Sequence, residues 1–160
     1  ISFQFFYLIS SIIIAGNKWD LVKHDEDKLR TWTDDVDLRL GGFSWIPLVT
    51  ISSLRGIRVF KILDLARRIA GERHKRIELP VLNEFLKSIT GEYQPAMVKG
   101  KKVKVNFINQ VGVCPPTFIV FGRHTALLKK NYKIFLENRL RKSFGFEGVP
   151  ISMAFKENVQ

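Results

Sequence analysis

SIIIAGNKWDLV, residues 11–22, is the stretch on which the fold turns. The apolar run from Ile9 to Ala15 suits a fully buried parallel strand. After Gly16 it gives way to an amide, an ammonium, an indole and a carboxylate, Asn17 to Asp20, which places a polar loop at the strand's carboxyl end. Downstream, DEDKLRTWTDDVDLRL (25–40) spaces Leu29, Trp32, Val36 and Leu40 by three and four and crowds acidic residues into the first turn, so it predicts a helix, ended by Gly41 and Gly42. FSWIPLVTIS (43–52) reads as a second apolar strand, with Pro47 indicating an edge position or a start nearer Leu48. From Ile57 a further helix directs Val59, Ile62, Ala66 and Ile69 inward and is expected to stop at Gly71. Strand, helix, strand, helix with short connections implies an α/β layer on parallel strands. Two strands do not complete such a sheet, so this half is expected to be the carboxyl end of a larger domain.

GERHKRIELP (71–80) is a polar, charged linker, and the pattern changes after it. A helix carrying Leu82, Phe85, Leu86 and Ile89 on one face ends near Gly91. KGKKVKVNFINQ (99–110) then alternates Val103, Val105 and Phe107 on one side with Lys102, Lys104 and Asn106 on the other, the signature of a sheet with one solvated face. After a turn around Gly112, Pro115 and Pro116, TFIVFG (117–122) makes the next strand. ALLKKNYKIFLENRLRKSFGF (126–146) is the clearest helix, with Leu128, Tyr132, Phe135, Leu136 and Leu140 as its stripe and Gly145 as its stop. VPISMAF (149–155) returns as a strand alternating Val149, Ile151, Met153 and Phe155. The second half is therefore a small α+β domain of order helix, strand, strand, helix, strand. The boundary falls between residues 1–74 and 75–160.

The 160 residues are 46% apolar and 26% charged, which excludes a dominantly disordered chain. The net charge of +11 is unusual and favours a polyanionic partner. It divides unequally: residues 1–75 hold 12 basic and 9 acidic side chains, whereas residues 76–160 hold 14 and 6. The second half, at net +8, is where a polyanion would be held. Lys99, Lys101, Lys102 and Lys104 lead into a strand, and Lys129, Lys130, Lys133, Arg139, Arg141 and Lys142 decorate the long helix. Each alone could be the solvated face of an amphipathic element; as a set with few acids they favour phosphate-backbone contact. No G-x-x-G loop of the KH type accompanies them. The lone Cys114 excludes an intrachain disulfide and fits a reducing compartment, and no Cys/His cluster has zinc spacing. The amino end, ISFQFFYLISSIIIAG, contains Gln4 and three serines, lacks a leading basic residue, and falls short of the roughly 20 residues that span a bilayer. It is expected to be a buried strand with extra sequence ahead of it; a fragment boundary or a targeting remnant are the alternatives.

The loop at residues 17–20 lies where α/β domains place ligand contacts. A guanine-type purine presents N1–H and its exocyclic amine as adjacent donors, and the Asp20 carboxylate can accept both. Asn17 can bind the base edge or tie neighbouring loops together. The Lys18 stem can lie flat on the ring with its ammonium in water, while Trp19 packs or shields the loop. After the next strand stands TISSLRG (50–56). There the Ser53 backbone N–H could reach the guanine carbonyl oxygen and Ser52 could brace the loop carrying Asp20; capping of the following helix is the structural alternative.

With NKWD and ISSLRG in that order, the chain resembles the carboxyl-terminal part of the Der (EngA) family of GTPases, which carry two tandem GTPase domains followed by a KH-like domain. NKWD matches the guanine-specificity motif. ISSLRG matches the S-A-L-x-G-x-G region, with Ser53 in place of the usual alanine and Arg58 where glycine is common. LNEFLKSI, QPAMVKGKKVKVNFINQVGVCPPTFIVF and YKIFLENRLRKSFGFEGVPISMAF resemble the KH-like domain almost element by element, and the likeness covers about residues 9–156. The resemblance implies a partial P-loop GTPase domain followed by an α+β KH-like domain, with Asn17, Lys18, Asp20, Ser52, Ser53 and Leu54 as guanine contacts for GTP or GDP. It implies a role in large-subunit ribosome assembly, ribosomal RNA or the large subunit as partner, packing against further GTPase domains, no membrane, and the bacterial cytoplasm or an organelle stroma or matrix as compartment. Mg²⁺ is implied only for a complete parent domain, because these 160 residues contain no G-x-x-x-x-G-K-[ST]. The chain alone is therefore not expected to hydrolyse GTP; a non-enzymatic RNA- or ribosome-binding module is the alternative.

Overall fold

The computed structural model describes residues 11–21, 26–39, 41 and 43–158. Strand β1 (Ile14–Gly16) pairs in parallel with β2 (Leu48–Thr50), Ile14 opposite Leu48 and Gly16 opposite Thr50. Pro47, lacking an N–H, stays just outside β2 and accepts the Ile14 N–H at 3.0 Å through its carbonyl. Residue Ile9, expected at the start of β1, lies outside the described residues. The connection between these strands holds helix α1 (Glu26–Arg39). Its Trp32 ring lies against Gly16 so closely that a Cβ there would come within 2.7 Å of it. Trp32 and Val36 are half-buried as the spacing predicts, while the Leu29 side chain, Leu40 and Gly42 lie outside the described residues.

Helix α2 (Val59–Arg73) does not stop at Gly71. A glycine inside a helix costs only about 1 kcal/mol, and the next residue, Glu72, is anchored by the Phe146 N–H, which donates to it at 2.6 Å. The inward face of α2 follows expectation at Val59 and Ile62, both half-buried, and departs from it at Ala66. Leu65 is half-buried and Ala66 exposed, with Ile69 fully inside.

The second half follows the expected order. Helix α3 (Leu79–Glu92), strands β3 (Lys104–Val113) and β4 (Pro116–Arg123), helix α4 (Lys130–Phe144) and strand β5 (Ser152–Glu157) succeed one another, and the strands form a three-stranded sheet of order β3-β4-β5. β3 and β4 are antiparallel, and β4 and β5 parallel. Leu82, Leu86 and Ile89 of α3, Tyr132, Leu136 and Leu140 of α4, and Ile108, Phe118 and Val120 of the sheet bury one continuous core. Ile69 of α2 belongs to that same core, so the two halves of the chain share it.

One strand breaks its sequence pattern. Alternation placed Val103, Val105 and Phe107 on one face, but the register slips between Val105 and Phe107, leaving Asn106 as an extra, unpaired residue. Val103 and Val105 stay buried, Phe107 turns to the opposite face at 38% exposure, and Ile108 and Gln110 go inside. An inserted residue reverses the side chains that follow it in a strand whose period is two, here as far as a second slip between Gln110 and Gly112. Gln110, now buried, is satisfied by the linker. Its Oε1 accepts from Ile77 N at 2.8 Å and its Nε2 donates to Lys75 O at 2.9 Å.

The segment Gly145–Val149 joins the halves. Gly148 donates its N–H to Trp45 O at 2.7 Å and accepts from Ile12 N at 2.8 Å, and Arg141 Nη1 donates to the carbonyls of Phe146 and Val149, each at 2.9 Å. The same guanidinium pairs with Glu137 and lies 4.5 Å from the Trp45 ring centroid. Among the described residues no helix is long and apolar enough to cross a membrane.

Two substitutions test this packing. A Cβ at Gly122 would lie 2.0 Å from Lys104 O, a backbone atom that moves only with the strand. Gly122→Ala is therefore expected to lower unfolding stability by about 3 kcal/mol, the upper end for overpacking, read from urea denaturation; a change within about 0.5 kcal/mol would refute the close approach. Arg141→Ala strands two carbonyls and frees Trp45, and a loss of about 3 kcal/mol is expected by the same measurement.

Candidate functional site

At the carboxyl ends of the parallel pair two loops meet. After β1 the chain enters a short 3₁₀ turn, Trp19–Leu21, and after β2 it runs through Ile51 and Ser52 toward α2. Trp19 N donates to Ile51 O at 3.0 Å and Ile51 N to Gly16 O at 2.8 Å, so the strand pairing continues into the loops. Ser52, wholly buried, donates its hydroxyl to Asp20 Oδ1 at 2.5 Å, bracing the loop as expected. Asn17 ties the loops together. Its Oδ1 accepts from Ser53 N at 3.1 Å and Ser53 Oγ at 3.2 Å, and also from Lys18 N at 2.8 Å. The Ser53 N–H, expected to be free for a carbonyl oxygen, is thus committed to Asn17, because the two loops approach closely enough for the amide to claim it.

The serines do not cap α2. The residue ahead of that helix is Arg58, in the left-handed conformation (φ 57°) and without a side-chain cap. That backbone explains why glycine would be at home here. Arg58 instead spends its side chain on the site, donating to Thr50 Oγ1 at 2.6 Å and covering the Trp19 ring at 5.3 Å. Sequence reasoning missed this role, which the break in the glycine pattern could have signalled. Trp19 is half-buried under it, as a packing residue. Lys18 is exposed, and Leu54 stands 89% exposed beside the mouth of the loops.

The Asp20 side chain is only 10% exposed, with Arg55 Nε at 4.0 Å from its second oxygen. The Ser52 hydrogen bond holds its carboxyl below its ordinary value of 3.8, against the opposing effect of desolvation; its own backbone N–H and the Arg55 charge add to the lowering. The arrangement is an ionised acceptor fixed at a strand end. Among the described residues there is no group of three or more His, Cys, Asp or Glu that could hold a metal ion.

The basic residues fall into distinct settings. Lys99, Lys101, Lys102 and Lys104 are exposed around the turn into β3, and Lys102 and Lys104 line a cleft of about 340 Å³ with Lys87, which the sequence reading overlooked. Lys129, Lys130 and Lys142 are exposed, Lys133 lies 4.9 Å from the Phe155 ring centroid, and Arg139 pairs with Glu92 at 2.7 Å. Arg141 leaves the set of phosphate contacts. Its side chain is 9% exposed, burial lowers its pKa against the opposing influence of Glu137, and its donors serve the Gly145–Val149 segment.

Asp20's depressed pKa gives stability that is present above 3.8 and lost as pH falls through the folded value. Ser52→Ala is expected to move the Asp20 titration upward, toward 3.8, in carboxyl-carbon NMR. An unchanged titration would show that the hydroxyl does not hold the charge.

Comparison with known proteins agrees with the motifs. The family described as "KH-domain-like of EngA bacterial GTPase enzymes, C-terminal" matches residues 76–156. Proteins called GTPase Der are similar along the chain. The one from Acetivibrio thermocellus is 39% identical over 145 residues, covering 91% of this chain and 33% of its own length. That from Chlorobium phaeobacteroides is 34% identical over 146 residues (91% and 34%), and that from Caldanaerobacter subterraneus subsp. tengcongensis 38% over 146 residues (91% and 33%). The chain thus spans about a third of the length of the relatives it matches. With the family's module over residues 76–156 and its relatives aligned across nine-tenths of the sequence, this chain belongs to the Der (EngA) GTPase family.

Proposed function

We propose that residues 1–74 form the guanine-recognition end of a P-loop GTPase domain, that residues 75–160 form an RNA-contacting KH-like domain, and that the two serve large-subunit ribosome assembly. The observation that carries the reading is the Asp20 carboxylate, ionised and braced by Ser52 at the end of β1, next to the Asn17 and Ser53 tie. In this reading Asp20 accepts N1–H and the exocyclic amine of guanine. The Lys18 stem and Leu54 cover the two faces of the ring, and Asn17 and Ser52 act by keeping the two loops in register.

Phosphate binding and Mg²⁺ belong to segments these 160 residues do not contain, so base contact alone gives selectivity with little affinity. Fluorescent GDP is expected to bind the chain weakly, with Kd on the order of 0.1–1 mM, and to be displaced by GTP but not ATP. Asp20→Asn replaces an acceptor with a donor and is expected to shift preference to the xanthine nucleotide, which has a carbonyl where guanine has the amine, by about tenfold or more. Displacement by ATP as effective as by GTP would overturn the assignment.

A second reading, a non-enzymatic RNA- or ribosome-binding module without nucleotide affinity, rests on the excess of 14 basic over 6 acidic residues in 76–160 and on the exposed lysines there. It gains ground if the chain binds RNA with affinity falling steeply from low to physiological salt while GDP shows no binding at millimolar concentration.

A further inference from the structure

The open face of the β3-β4-β5 sheet is not accounted for by the guanine loops or by the lysines before β3. Cross-strand register sets Phe107 opposite Phe121 and Phe121 opposite Lys156, and sets Lys104 opposite Arg123. The two rings lie 6.0 Å apart, tilted by 47°. In the next row Asn109 stands opposite Ile119 and Ile119 opposite Ala154, so Asn109 and Ile119 flank the two rings and the small Ala154 flanks Lys156. Lys104, Arg123 and Lys156 are exposed, and these rows contain no carboxylate. Phe107 reaches this face only through the extra residue Asn106, which breaks the ladder and re-aims the ring from the core to the surface.

We propose that this sheet face binds single-stranded RNA, with unpaired bases stacked on Phe107 and Phe121 and the phosphates beside them neutralised by Lys104, Arg123 and Lys156. The inference rests on the RNA-binding reading above and names the surface that performs it. Three features favour an RNA strand over a protein partner. Aromatic rings on a flat sheet accept a base of any identity, and sheet platforms take bases in this way. Lys156 stands opposite Phe121, and Lys104 and Arg123 form the row on the other side of the bulge, whereas the centres of protein interfaces are depleted in lysine. The Asn109 amide, beside the rings, can donate to and accept from a base edge. Double-stranded RNA, whose bases are already stacked, gains nothing from the rings.

The test uses the whole chain, a short single-stranded RNA containing a fluorescent base analogue, and a duplex RNA of equal charge. The wild-type protein is expected to quench the analogue and bind the single strand more tightly than the duplex. Phe107→Leu with Phe121→Leu keeps apolar volume and removes the aromatic faces. It is expected to weaken single-strand binding by about 10- to 100-fold and abolish the quench, with duplex binding unchanged and the thermal midpoint retained. Phe107→Leu alone, at the more exposed ring, gives the same direction if the double variant does not fold. Replacing Lys104, Arg123 and Lys156 by Gln is expected to lower the slope of log affinity against log salt by about 2 to 3. A wild-type chain with no salt-dependent RNA affinity would refute the RNA reading itself. Wild-type affinity and quench that survive both leucine variants would leave RNA binding elsewhere and overturn this face as its platform.

Discussion

The segment Gly145–Val149 is the constraint on which the rest depends. Three of its residues, Gly145, Phe146 and Gly148, have positive φ, 88°, 68° and 68°, and a Cβ at Gly148 would lie 2.6 Å from Ile69. At Gly148 the path is open because glycine has no Cβ to collide with Ile69. It delivers Phe146 and Val149 into the common core and sets Gly148 between the carbonyl of Trp45 and the amide of Ile12. Arg141 holds it from one side and Glu72 from the other. Through this clasp a two-stranded sheet too small to stand alone shares the core of a larger α+β unit.

What the clasp steadies, at one remove, is the pair of loops after β1 and β2. Their hydrogen bonds form a closed arrangement in which Ser52 fixes Asp20 and Asn17 fixes Ser53. A polar side chain used to hold a partner in place is withdrawn from a ligand but makes the remaining acceptor rigid. That division of labour leaves the Asp20 carboxylate, with Lys18 and Leu54 exposed nearby, as the chemical content of the candidate site. It accounts for motif residues that differ so much in burial, from Ser52 fully enclosed to Leu54 in solvent.

Much of this was legible in advance. The order of elements in residues 79–157, the start of β2 after Pro47, the parallel pairing and the meeting of the two motif loops all follow from hydrophobic period and spacing. Less legible were the continuation of α2 past Gly71, the place of Leu65 rather than Ala66 on its inner face and the roles of individual basic side chains. Arg141 and Lys142 are adjacent in one helix and alike in charge; one is locked onto backbone carbonyls and the other is exposed. Composition weighs them equally because the difference lies in residues five and eight positions beyond Arg141, at Phe146 and Val149.

The sequence by itself determined the local periods, the charge asymmetry and the two motifs, since each depends only on residue type and near spacing. Tertiary structure alone decided the bulge at Asn106, which sends Phe107 outward and Gln110 inward, and the capture of the Ser53 amide by Asn17. Neither is encoded by near spacing. They are settled by partners more than 30 positions away, Lys75 and Ile77 for Gln110 and a neighbouring strand's loop for Ser53.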